Sequence, residues 1–204
     1  MKLFTSPTTP FGRKVLLAAA IKRVDDQIET VNADTNPPGN AELMKFNPLG
    51  KIPVLVLDDG TPLFDSAVIC QYIDTLGEPD APRLIPEHGP DRWATLRLAA
   101  LADGIAEAGI LIFYESRFRT AEHHNADWIS RQQQKVDAGL DYFDQHPLGW
   151  DVQPDYAHLS LAAALGHLDL RHGRRWRTDR PRLVNWLDHF GNAVPAYAKT
   201  TPVG

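Results

Sequence analysis

Three hydroxyls crowd the segment Ser6-Pro7-Thr8-Thr9-Pro10, just ahead of a helical pattern. Thr9 fits an N-cap and Pro10 the first helical position, where a missing N–H costs nothing. A second group is Lys51-Ile52-Pro53, directly before the apolar run Val54 to Leu57. An Ile-Pro bond is one of the few places a cis peptide is affordable, and a backbone bent there presents unpaired polar groups. A third is Asp65-Ser66, a polar pair that opens a helix. Thiol and metal chemistry find no such grouping. Cys70 is the single cysteine, which rules out an intrachain disulfide framework and a thiol cluster for zinc. It lies in a helical pattern between Ile69 and Tyr72 and is expected to be packed. The eight histidines show no paired ligand spacing, and His123-His124 diverge on a helix, so no metal is expected.

These residues need a frame. Lys2 to Thr5 reads as a short strand, and the helix from Phe11 to about Arg23 is apolar over most of its surface, as a sandwiched helix would be. Gln27 to Val31 alternates as a second strand. Asn36-Pro37-Pro38-Gly39-Asn40 breaks the chain, and a short helix is expected around Ala41 to Phe46. Val54 to Leu57 suits a strand buried on both faces, Asp58-Asp59-Gly60 a tight reversal into another strand, and Ile69, Tyr72, Ile73 and Leu76 mark a helix face. The order is β-α-β-α-β-β-α. From Gly77 to Pro90 the chain turns rich in Pro, Gly and charge, and the domain boundary is placed there: residues 1–77, a linker over 78–89, and 90–204. Beyond it strand signals stop. Leu98, Leu101, Ala102, Ile105, Gly109 and Ile112 trace one helix, and Ile129, Val136, Leu140 and Phe143 a second that ends at His146-Pro147. Leu161, Leu165 and Leu168 mark a third, and Leu183, Trp186, Leu187 and Phe190 a fourth. The fold class is α+β, a mixed first half followed by an all-helical second.

Bulk properties narrow the field. The chain has 204 residues, 43% hydrophobic and 23% charged, with a formal net charge of -5, which argues against general affinity for nucleic acid or anionic membrane. The longest apolar run, Val15 to Ile21, is too short to span a bilayer, and MKLFTS lacks the features of a signal peptide. A cytoplasmic protein is expected. The cluster from Arg171 to Arg182 includes Asp179 and reads as a solvated loop rather than a nucleic-acid patch.

Taken together, the segments FTSPTTPFGRKV, NPLGKIPVL and LFDSAVICQYI, the charged linker and the helical second half resemble the cytosolic glutathione transferases over essentially the whole chain. The resemblance implies a thioredoxin-like, glutathione-binding first domain, a helical domain carrying much of the acceptor pocket, and a homodimer. Carried onto this chain, Ile52 before a cis Pro53 would pair its backbone with the cysteinyl unit of glutathione. Asp65 and Ser66 would hold the γ-glutamyl end, and Lys51 would face the glycyl carboxylate. Where the family more often has Glu, Asp65 is shorter and reaches less far. At the start of the third long helix, Asp155 and His158 stand where the family commonly has Ser or Thr and then Asp, and His158 is expected to be the poorer reciprocal cap.

The reaction implied needs glutathione's thiol as the thiolate, and a free cysteine thiol has a pKa of ~8.5. Lowering it by about two units requires about 2.7 kcal/mol. One hydrogen bond to a charged acceptor supplies about 1.5–3 kcal/mol and a helix N-terminus about 0.3–1. A hydroxyl at the first helix start therefore nearly suffices. By the resemblance Thr9 is the activating residue, four positions ahead of Arg13, with Thr8 and Ser6 as alternatives. No cysteine stands in this loop, which excludes the branch that forms a mixed disulfide there. Asp103 would reach the γ-glutamyl ammonium across a dimer, and Phe113 and Tyr114 either line the acceptor pocket or simply pack. The expected function is a detoxifying glutathione transferase acting on a small hydrophobic electrophile, with related peroxidase activity. The alternative is a binding or scaffold protein that keeps the fold and turns over little.

Overall fold

The computed structural model describes residues 1–77, 81 and 83–202, so residues 78–80 and 82 of the expected linker lie outside the described residues. Four strands form one mixed sheet: β1 (Lys2–Thr5), β2 (Glu29–Asn32), β3 (Val54–Val56) and β4 (Pro62–Leu63), in spatial order β2-β1-β3-β4. β1 pairs parallel with β2, placing Leu3 opposite Thr30, and antiparallel with β3, placing Leu3 opposite Leu55. The parallel pair requires a crossover, which α1 (Pro10–Ile21) supplies, while β3 and β4 need only a tight reversal. That reversal is closed as its residue types dictate: Gly60 takes a φ of 88° and Asp59 Oδ1 accepts from Thr61 N at 2.8 Å. The helix α2 (Ser66–Asp74) completes this thioredoxin-like unit.

The expected order holds with one difference. Where a second helix was predicted around Ala41 to Phe46, the chain makes only a 3-10 turn, Leu43–Lys45. Asn40 Oδ1 accepts from both Glu42 N and Leu43 N, and the buried Asn47 takes up the chain immediately afterwards. Only Leu43 of this turn is buried, so no apolar face exists to sustain a longer helix.

The second half consists of α3 (Gly89–Phe118), α4 (Ala126–Gln145), α5 (Tyr156–Arg171), α6 (Pro181–Ala193) and the short α7 (Ala196–Lys199). Every residue of α5 from Tyr156 to Leu168 is buried, since α3 packs on one side and α1 on another. The Ala-rich sequence is what lets neighbours approach so closely. Gly166 is one such point, because a Cβ there would collide with Arg13 Nη1. α1 is sandwiched as its apolar surface predicts, between α2 and α5. Its polar residues are buried too. Lys14 Nζ contacts both oxygens of Asp103 at 2.8 Å and Tyr156 Oη at 3.0 Å, tying α1 to α3 and α5. Burial opposes the Lys14 charge, but Asp103 and Tyr156 outweigh it and hold the pKa above the ordinary lysine range.

At the head of α5 the expected weak cap is a complete capping box. Asp155 Oδ1 accepts from Ala157 N at 2.9 Å and from His158 N at 3.2 Å, and His158 Nδ1 stands 3.2 Å from Asp155 N. Thr95 Oγ1 donates to Asp155 Oδ2 at 2.7 Å, and His158 Nε2 lies 3.2 Å from the Gly149 carbonyl. An imidazole reaches as far as a carboxylate and gains a second anchor. The arginine cluster is likewise less solvated than expected, because Arg177 pairs with Asp169 and Arg180 with Asp137 and Asp141, while Trp176 is buried. Cys70 is packed as expected, and burial pushes its thiol up to about 12. Among the described residues no helix is long and apolar enough to cross a membrane.

Candidate functional site

β1 delivers the chain into the loop Ser6 to Thr9, whose turn is closed by Thr9 N donating to Ser6 O at 3.2 Å. Within it, Ser6 Oγ and Thr8 Oγ1 lie 3.2 Å apart and share a hydrogen bond, and Thr8 N also donates to Ser6 Oγ. Thr9 differs. It sits at the N-cap of α1 with extended backbone, yet its side chain makes no capping hydrogen bond. Its methyl lies close to Gly12, where a Cβ would stand only 2.9 Å away. The fit of Thr9 as a capping side chain is therefore not met, and its hydroxyl makes no hydrogen bond among the described residues.

The turn ahead of β3 is held from beneath by Asn47, only 3% exposed, whose side-chain amide donates to Lys51 O at 2.9 Å. Gly50, with φ of 60°, completes it. The next peptide, Ile52-Pro53, is cis as the sequence suggested. Among the described residues neither the N–H nor the C=O of Ile52 has a backbone partner. A strand edge with an open donor and an open acceptor on one residue is what an extended peptide needs in order to pair.

These pieces meet in a cleft of about 900 Å³ lined by Ser6, Thr8, Thr9, Lys51 and Ile52 on one side. Opposite stands α3, whose Glu107, Ile110, Leu111, Tyr114 and Phe118 fall at helical spacing on one face, with Phe113 and Arg117 beside them. α5 adds His167 and Arg171, neither of which the sequence singled out for this site. Asp65 and Ser66 are not among the lining residues. Asp65 caps α2 by accepting from Ala67 N at 3.0 Å through Oδ1, while Oδ2 makes no hydrogen bond to the described residues; Ser66 is buried in the first turn. Both Asp103 oxygens are engaged by Lys14 of the same chain.

His167 is 4% exposed, its Nδ1 lies 3.4 Å from Thr8 O, and its Nε2 is buried without a hydrogen-bond partner among the described residues. Burial is the main reason its pKa falls to about 4, with His172 and Arg171 adding to the effect and the Thr8 carbonyl opposing it. The imidazole is thus neutral, and its Nδ1–H can donate to the carbonyl that leads into Thr9. Only its position four residues before Arg171 on an Ala-rich helix could have flagged it. On sequence it reads as one more core residue.

A mixed sheet with a cis-proline edge, a hydroxyl-bearing loop before the first helix and a helical half closing the cleft define a thioredoxin-fold protein with a helical second half. The sequence profile "Glutathione S-transferase, N-terminal domain" matches residues 8–76, and "Glutathione S-transferase, C-terminal domain" matches residues 126–189. The uncharacterized GST-like protein YibF of Escherichia coli K12 is 33% identical over 208 residues, covering 99% of this chain and 98% of that protein. A glutathione transferase family member from Pseudomonas fluorescens Pf-5 with bound glutathione superposes with a TM-score of 0.92 at 35% identity, covering 100% and 99% of the two chains. Its structure with bound S-(propanoic acid)-glutathione superposes at 0.89, again at 35% identity and with both chains covered in full. The chain belongs to the glutathione S-transferase family.

Proposed function

We propose that this protein is a glutathione transferase in which Thr9 stabilises the glutathione thiolate for attack on a hydrophobic electrophile, working as a cytoplasmic homodimer divided at the linker over 78–89. Glutathione lies extended along the edge at Ile52, which pairs with the cysteinyl unit through its N–H and C=O. Lys51 faces the glycyl carboxylate. The γ-glutamyl end leaves the cleft toward Asp65, whose Oδ2 takes the ammonium, and Ser66 at the start of α2 faces its carboxylate. The observation that carries this reading is the unpaired Ile52 backbone in the same cleft as an uncommitted Thr9 hydroxyl.

Thr9 is preferred to its neighbours because Ser6 and Thr8 spend a hydrogen bond on each other. The glutathione and S-conjugate bound to the Pseudomonas fluorescens relative support both the ligand and room beyond its sulfur. Ultraviolet titration of the thiolate in bound glutathione tests the assignment. Wild type is expected to titrate about two units below the free value of ~8.5, and Thr9→Val, which keeps the shape, is expected to return most of that shift. An unchanged titration in the variant removes Thr9 from the role. Calorimetry showing no binding at millimolar glutathione removes the whole reading. Binding without turnover of any electrophile or hydroperoxide leaves a binding protein instead.

A further inference from the structure

The acceptor side of the cleft is apolar in body and cationic at one end. Phe113 on α3 carries two guanidinium groups: Arg171 Cζ lies 4.4 Å and Arg117 Cζ 5.6 Å from its ring centroid. Their commitments differ. Arg117 Nη2 donates to Asn36 Oδ1 at 2.6 Å, bridging α3 to the loop after β2 across the cleft. Arg171 has neither a hydrogen bond nor an ion pair among the described residues, in contrast to Arg177 and Arg180 of the same basic cluster, which are matched to carboxylates. Two acidic residues do line the cleft, but Asp34 is turned to Asn36 N and Glu107 sits on α3 nearly two turns before Phe113. Two adjacent guanidinium groups on one ring thus have between them a single neutral hydrogen-bond partner, Asn36, among the described residues. Burial and the neighbouring Arg117 both work against the Arg171 charge, a cost that a bound anion would relieve.

Position gives the site its meaning. His167 touches the carbonyl of Thr8, and Arg171 is four residues further along α5, just over one helical turn or about 6 Å on. Arg171 and Thr9 line the same cleft, with His167 and Phe113 also on its wall. We infer that the acceptor substrates of this protein carry a carboxylate, which Arg171, stacked on Phe113, receives as a forked pair while Ile110, Leu111 and Tyr114 cover the apolar body. The inference rests on the glutathione reading above. A planar fork matches a carboxylate in two parallel hydrogen bonds, and stacking fixes its plane.

A matched pair of acceptors tests it: 4-chloro-3-nitrobenzoate and its methyl ester. In each, the thiolate forms the C–S bond, chloride leaves with the C–Cl electron pair, and the thiol proton goes to solvent. For Arg171→Gln, kcat/KM is expected to fall at least tenfold for the acid and less than twofold for the ester, with KM for glutathione unchanged. Arg171→Lys is expected to lie between. Calorimetry with S-(4-carboxybenzyl)glutathione, S-benzylglutathione and glutathione gives the same comparison without turnover, and wild type is expected to prefer the carboxylate conjugate. Equal effects on acid and ester, or on the two conjugates, overturn the inference. An equal loss for glutathione itself means that Arg171 serves glutathione's own carboxylate and overturns it as well. Failure of wild type to bind any of the three ligands removes the glutathione reading, an outcome distinct from binding without preference.

Discussion

His167 shows how one buried side chain ties the helical half to the loop that carries Thr9. Its folded pKa of about 4 lies below the ordinary value of ~6.5, so the unfolded chain binds the extra proton between those values. The contribution to stability is therefore complete above pH ~6.5 and is lost as pH falls toward 4, amounting to at most about 3 kcal/mol. Urea unfolding at neutral pH and at two acidic values should show a falling midpoint in wild type and a flatter dependence in His167→Leu. Identical slopes would mean that other groups govern the acid limb. At this scale the sequence was only half legible. Thr9, Lys51 and Ile52 stand beside prolines and glycines whose backbone demands are local, so the turns that bring them to the cleft wall could be read directly. His167 and Arg171 enter the cleft only because α5 packs against α1 and α3, and pairing over 150 residues leaves no local pattern.

At the level of elements, α5 is the axis on which both halves turn, and its head is fixed by one carboxylate. Burial works against a charge on Asp155, but the hydrogen bonds from His158, Thr95 and the helix N-terminus prevail and hold its pKa below the usual carboxylate range. Asp155→Ala removes the cap and strands the Thr95 hydroxyl, which is buried. The expected cost is about 2 kcal/mol, the upper end for an N-cap. Urea denaturation would show it as a lower midpoint at unchanged slope, and Asp155→Asn should recover much of the loss. Leu161, Leu165 and Leu168 announced this helix, but its burial on every side was not readable, because alanines occupy exposed and buried faces alike. The reverse holds for the expected helix at Ala41 to Phe46. Its residues have adequate propensity, but a single buried side chain, Leu43, cannot hold more than one turn against Asn40 and Asn47.

For the whole molecule, the arrangement leaves the proposed γ-glutamyl end outside the cleft, at the start of α2. Phe64 and Val68, which flank Asp65 and Ser66, are 37% and 44% exposed. Single exposed apolar residues are ordinary, but two within one turn of the proposed γ-glutamyl site favour being covered. A second copy seated there would shield that end of glutathione and strengthen its charge contacts by excluding water. Sedimentation equilibrium is expected to give about twice the 22.7 kDa chain mass. The double substitution Phe64→Asp with Val68→Glu places like charges on both faces of such a contact and is expected to yield the single-chain mass. It should also weaken glutathione binding several-fold, while thermal unfolding stays cooperative. A variant that is monomeric yet binds glutathione as wild type does would show that the site is complete within one chain. A wild type that is monomeric at micromolar concentration would remove the dimer from the proposal and leave Asp65 and Ser66 to hold the γ-glutamyl end in open solvent.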